Sequence, residues 1–175
     1  MKSFLVFILC FLGLSGCGSN SVRYENKQYG FSLLLPAGWK QEEGYQGTII
    51  IARAPEESPK FKTNINLTIG DLSGIEAKAQ KKIKLVEFYE INKAQLFEVL
   101  PGVKYNIRED YINAGNNAGM LLSFSCDIEK VPLRFMAGIW MVASKAYTIT
   151  CSTERDKFES YLPVFERTLK SLRVK

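Results

Sequence analysis

AGMLLSFSCDIEKVPLRFMAGIWMVASKAYTITCS, residues 118–152, decides the fold. Three apolar stretches, Ala118 to Ile128, Val131 to Ala143 and Ala146 to Ser152, are separated by the pairs Glu129-Lys130 and Ser144-Lys145. Two polar residues between apolar runs signal a hairpin turn, so the segment reads as a three-stranded antiparallel meander. Placing Ile128 opposite Val131 puts Cys126 opposite Leu133 and Leu121 opposite Gly138. Placing Ala143 opposite Ala146 puts Cys151 opposite Gly138. In that register one face carries Leu122, Phe124, Leu133, Phe135 and Ile139, and the other carries Leu121, Met136, Trp140, Val142, Tyr147 and Ile149. A sheet with one wet face alternates apolar and polar residues. This one does not, so both faces need cover. The same register sends Cys126 and Cys151 to opposite faces, five residues apart along the strand. At about 3.3 Å per residue they are out of disulfide reach, and two buried free thiols are expected.

Outward from the meander, Tyr29 to Pro36, Thr48 to Arg53, Thr63 to Gly70 and Val103 to Ile112 read as strands. The apolar run of Thr48 to Arg53 points to burial on both sides. Asn113 to Asn117 is a turn, rich in residues that tolerate positive φ. Ile75 to Leu100 reads as helix. Ile75, Ala79, Ile83 and Val86 keep helical spacing, as do Tyr89, Leu96 and Leu100, and the slip in phase near Glu90 to Lys93 predicts a break there. A last helix follows a cap at Ser152 or Thr153. Its inner face is Phe158, Tyr161, Leu162, Phe165, Leu169 and Leu172, and Pro163 predicts a kink or restart. The long helix and the last helix are the available covers. The fold class is therefore α+β, an antiparallel sheet covered by helices on both faces, an α/β/α sandwich.

The first residues give an address rather than a fold. Lys2 precedes an apolar run from Phe4 to Leu14, closed by Gly13, Ser15 and Gly16. Eleven apolar residues are too few to span a bilayer, which takes about 20. They suit the core of a secretory signal. Leu14-Ser15-Gly16-Cys17 resembles the lipobox of bacterial lipoproteins. That resemblance implies cleavage before Cys17 and acylation of Cys17, with residues 1–16 removed and 17–23 a lipidated polar tether. Two acyl chains hold a membrane firmly where one is marginal. Gly18, rather than aspartate, resembles the outer-membrane default of a two-membrane envelope. Residues 24–175 are then a single domain.

Without residues 1–16 the chain has 159 residues and a net charge of +4. No lysine–arginine run is dense enough for nucleic acid; Lys78, Lys81, Lys82 and Lys84 read as a solvated helix face. The chain contains no histidine. That excludes Ser-His-Asp and Cys-His catalysis and most zinc sites. Glu109 and Asp110 are adjacent on a strand and face opposite ways, while Glu42-Glu43 and Glu56-Glu57 fall in loops, so no carboxylate pair is set for acid–base work. No cofactor or metal is expected, and the chain is expected not to be an enzyme.

Tyr29-Gly-Phe-Ser-Leu-x-x-Pro-x-Gly-Trp39 resembles the opening of PsbP-like domains, the superfamily of photosystem II extrinsic proteins and their Ran-binding relative. The ending is similar too: a hairpin, Ala146-Tyr-Thr-Ile-Thr150, then a helix with Phe158, Phe165, Ser171 and Leu172. The resemblance spans residues 24–173. It implies a non-enzymatic protein that binds a protein partner or stabilises an assembly. No calcium or manganese site carries over, because no matching carboxylate or histidine cluster is present. Trp39, after a proline-glycine turn, either packs beneath a loop or meets that partner, and is the partner-binding candidate. The alternative is a lipoprotein that binds a small apolar or envelope-polymer ligand in a pocket between sheet and helix. A continuous apolar cavity under the helix at 75–100 would favour the ligand. A solid core with exposed aromatics on the loops at 36–48 or 54–62 would favour the partner.

Overall fold

The structure is a computed structural model that describes residues 20–55, 60–100 and 105–175. The signal segment and Cys17 lie outside the described residues. Among these residues the strands are β1 (Ser21–Asn26), β2 (Phe31–Pro36), β3 (Lys40–Glu43), β4 (Ile50–Arg53), β5 (Asn64–Asp71), β6 (Tyr105–Ala114), β7 (Asn117–Ile128), β8 (Val131–Val142), β9 (Lys145–Glu154) and β10 (Arg173–Val174). The helices are α1 (Ser73–Ala79), α2 (Leu85–Val99) and α3 (Phe158–Ser171). The main sheet is antiparallel, in the order β3-β4-β5-β9-β8-β7-β6. A second small sheet, β1-β2-β10, packs on one side of it.

The meander forms as its alternation dictates. Ile128 pairs with Val131, Cys126 with Leu133 and Leu121 with Gly138. The next hairpin turns one residue earlier than its polar pair suggests. Ala143 and Ser144 take positive φ, and Lys145 begins β9 opposite Val142. Cys151 therefore opposes Met136, not Gly138, three residues from Leu133 along β8. The two thiols still belong to separate cores on opposite faces. Burial pushes both thiols above their ordinary range, Cys151 the more strongly, because no solvent stabilises a thiolate there.

The first core lies between the main sheet, α3 and β2. It joins Trp140, Ile149, Leu67 and Cys151 to Phe158, Phe165, Leu169, Phe31 and Leu33. The second lies under α2 and joins Tyr89 to Met120, Leu122, Phe124, Cys126 and Ile139. These are the two helical covers that the apolar faces require.

Several boundaries differ from the sequence reading. β1 begins at Ser21, paired with Pro36, so the tether ends at Asn20 rather than Arg23. Cross-strand hydrogen bonds to β2 order polar residues that composition alone assigns to linker. The break in the long helix falls at Gln80, which takes φ 50°, not at Glu90 to Lys93. Ile75 and Val86 consequently face solvent, while Glu76 is buried. β3 was not expected; its KQEE sequence carries no apolar residue and forms only by pairing with β4. α3 runs through Pro163 with no break.

Candidate functional site

α2 lies over β7 and β8 but leaves a groove of about 360 Å³ between itself and the sheet. That volume is within the range of small-molecule sites. Phe124 and Phe135, cross-strand neighbours with parallel rings 4.9 Å apart, form its floor beside Ala137. Leu96 and Leu100 line it from α2. On β9 the lining turns polar, with Thr148 and Thr150. Register places Thr68 and Asn66 of β5 beside these threonines, so this face is apolar under α2 and polar beyond it. The expectation that the whole face is apolar holds for β7 and β8 only.

Two polar clusters fix α2. At its entry, Lys82 Nζ donates to Glu76 Oε2 at 2.8 Å and to Ser144 Oγ at 2.7 Å, and the Ile83 N–H donates to Glu76 Oε1 at 3.0 Å. These bonds pin the α1–α2 connection to the β8–β9 turn. Lys82 first, then Ser144, holds the Glu76 carboxyl down at about 2, against an ordinary 4.5. A depressed carboxylate stabilises the fold at pH above its unfolded value, and that contribution is lost as pH falls from about 4.5 towards 2. Thermal melts of the parent and Glu76→Gln are expected to differ at pH 7, and the gap should narrow on titration to pH 2.5. A gap independent of pH would contradict this role.

Along the helix, the buried Tyr89 hydroxyl donates to Glu109 Oε2 at 2.9 Å. Lys93 Nζ donates to the same oxygen at 3.0 Å and lies 2.8 Å from Glu90 Oε2. These groups converge at the groove margin, where acid–base chemistry could in principle operate. Their environments oppose it. Burial, then Glu109, raises Tyr89; Glu90 and Glu109 raise Lys93; Lys93 lowers Glu109. Each shift moves the group's titration further from neutral pH, whereas a general acid or base works best near the operating pH. The cluster is a strut between α2 and β6. Among the described residues no group of three or more His, Cys, Asp or Glu is placed to hold a metal ion.

Trp39, the partner candidate, is half-buried, with its ring edge-on to Tyr161 of α3 at 5.9 Å. Trp140 is wholly buried in the first core. On α2 the groove residues Tyr89, Leu96 and Leu100 keep the helical spacing read from the sequence, whereas Thr148 and Thr150 of β9 had no signal of their own, since sheet register alone brings them to the groove.

The sequence matches no family model. No curated protein matches it either. Solved structures do: cyanobacterial PsbP (CyanoP) from Synechocystis sp. PCC 6803 superposes with a TM-score of 0.64 at 16% identity, covering 91% of this chain and 96% of that one. The fold is PsbP-like. The same PsbP-like architecture relates the chain to LpqN of Mycobacterium tuberculosis, a protein involved in cell envelope biogenesis, with a TM-score of 0.64 at 11% identity over 89% of this chain and 91% of that one. It also relates it to PA94 of Pseudomonas aeruginosa, of unknown function, with a TM-score of 0.60 at 17% identity over 89% and 97%. The fold implied by Tyr29 to Trp39 and by residues 146–172 is the fold found.

Proposed function

We propose that the chain is an envelope lipoprotein, held by an acylated Cys17, whose PsbP-like domain carries an apolar ligand beneath α2 and performs no catalysis. The groove is the observation that carries this reading. Its floor and helical wall are apolar, its β9 side supplies hydroxyls to orient a ligand, and the charged groups at its margin already engage one another. Burying an apolar ligand there gains roughly 25 cal/mol per Å² removed from water. The lipobox-like Leu14-Ser15-Gly16-Cys17 supports the envelope address, as does the likeness to an envelope-biogenesis protein. Among the described residues no helix is long and apolar enough to cross a membrane. Trp39 is half-buried on Tyr161, and Tyr45, exposed on the 36–48 loops, has the Arg53 guanidinium over its ring at 4.3 Å, so the groove weighs in favour of a ligand over a protein docked on those loops.

The test is saturable binding of the fluorescent apolar probe N-phenyl-1-naphthylamine. Ala137 is half-buried in the groove floor, opposite Leu122 and Thr150. Ala137→Trp fills the groove, and is expected to weaken probe binding at least about tenfold, ~1.4 kcal/mol, with an unchanged circular dichroism spectrum. Equal affinity in the folded variant would place the probe elsewhere and remove the groove as the site.

A further inference from the structure

We propose that the groove opens toward the bilayer that anchors the chain and takes up an acyl chain of a membrane lipid through the end bounded by Leu100 and Ile128. This rests on the anchored, ligand-carrying reading above and names the ligand's class and source.

Strand register sets which residues share one end of the sheet. Lys40, Arg53, Asn64, Ser152, Phe135 and Phe124 form one line across the main sheet. The β7–β8 hairpin continues four residues past that line to Ile128 and Val131. The chain enters at the same end, because the Ala37 N–H donates to the Asn20 carbonyl at 2.8 Å, three residues before Lys40. Side-chain links tie this corner together. Trp39 meets Tyr161, Glu159 pairs with Arg134 at 3.1 Å, and Arg155 pairs with Asp127 at 2.6 Å. Only Gly18, Ser19 and Asn20 separate Cys17 from β1. At ~3.3–3.6 Å per residue, a lipid on Cys17 holds Asn20 within roughly 10 Å of the attachment point. The end of the sheet that carries Ile128 is therefore the end held at the membrane.

The two ends of the groove differ in kind. α2 runs from the β8–β9 turn, where Lys82 meets Ser144, toward the β7–β8 hairpin, over a helical length of about 22 Å. The groove's far end lies at Ile139 and Thr148, and on its β6 side the groove is flanked by the charged strut of Tyr89, Lys93 and Glu109, in which Glu109 stands beside Leu122 in register. A hydrocarbon tail gains nothing by displacing those bonded charges. The end toward the tether has an apolar lip instead. Val99 is 71% exposed and Ile128 37% exposed, and Val22, near the tether, is 42% exposed. Ile75, Val86 and Tyr111, toward the other end, are exposed as well, so the tether sets the orientation, and the lip suits it because exposed apolar side chains are costly in water and are accommodated in a bilayer interface. A chain entering past Ile128 meets Leu100, then Phe124, Phe135 and Leu96, and runs alongside the strut toward Ile139 and Thr148, with its headgroup left at the membrane surface.

The experiment uses the full acylated chain in phosphatidylcholine vesicles containing a nitroxide phosphatidylcholine, labelled either on the headgroup or on the acyl chain. An environment-sensitive fluorophore is attached at Ile128→Cys, Thr150→Cys or Asn116→Cys; the last lies in the β6–β7 turn at the opposite end of the sheet. Cys126 and Cys151 are buried and do not compete for label under native conditions. Headgroup nitroxide is expected to quench the Ile128 probe several-fold more than the Asn116 probe. Chain nitroxide is expected to quench the Thr150 probe, and adding Ala137→Trp should abolish that quenching. Quenching at Asn116 equal to that at Ile128 would overturn the orientation. An unquenched Thr150 probe would overturn lipid uptake while leaving the groove open to other apolar ligands. A chain that fails to float with the vesicles would overturn the anchor and this proposal together.

Discussion

Trp140→Ala is expected to cost ~3–5 kcal/mol, the range for deleting a fully buried large side chain. Trp140 has no exposed surface, and it lies in a slot made by two glycines. A Cβ on Gly138 would stand 2.3 Å from Trp140 Cη2, and one on Gly119 would stand 2.5 Å from Nε1. Neither backbone position takes positive φ, so the glycines are there for the indole and not for a turn. The indole N–H finds no acceptor among the described residues. Its burial forfeits a hydrogen bond that water would give, a penalty of ~1–3 kcal/mol that the packing must exceed. Gly138→Ala is expected to cost about 1–3 kcal/mol by overpacking. In the Trp140→Ala background the same change should cost little, because the methyl then enters the vacated slot. Denaturant unfolding of the four members of this cycle measures the coupling, which neighbours in direct contact should show and distant sites should not. A Gly138→Ala cost unchanged in the absence of the indole would refute the slot. The groove lies on the opposite face, so probe affinity should follow only the folded fraction in these variants.

The parts of the structure legible in the sequence are those where one face of one element determines the pattern. The β7–β8 register could be read because a two-residue turn and a period of two leave few alternatives. The β8–β9 register was two residues off, since Ala143-Ser144 and Ser144-Lys145 are both plausible turn pairs, and only the positive φ at Ala143 distinguishes them. α3 was legible from Phe158, Phe165 and Leu169 on one stripe. α2 was legible in part. Tyr89, Leu96 and Leu100 keep helical spacing and do face the sheet, but the phase does not carry back through the break at Gln80 to Ile75 and Val86, and Ile91 and Val99 are exposed. A helix with a narrow buried stripe leaves room over β8 and β9 where a broader stripe would have sealed the sheet. Glu76 was hidden for a different reason: a carboxylate becomes buried when Lys82 and the Ile83 amide meet it, and that pairing requires the turn at Gln80.

Pro163→Ala is expected to stabilise the domain by about 2 kcal/mol. Pro163 is the sixth residue of α3, past the first turn where proline is harmless, and its ring faces solvent. It lacks the N–H that would reach the Glu159 carbonyl, and its ring crowds that carbonyl. Alanine removes both defects, worth up to ~3 kcal/mol in a helix interior. The gain is reduced by ~0.4–1 kcal/mol, because the unfolded chain becomes more flexible when proline is lost. For a domain of this size the net change raises the melting midpoint by roughly 4–8 °C. The sign of the result tests the course of α3. The sequence predicts a kink or restart at Pro163, and a helix built on a kink would be strained by straightening, so alanine would then destabilise it. In the structure the helix is continuous and keeps Phe158, Phe165 and Leu169 on one face against the sheet, an arrangement that alanine leaves in place. A fall in the melting midpoint would show that α3 depends on its proline, and the continuous packing of the first core would have to be given up.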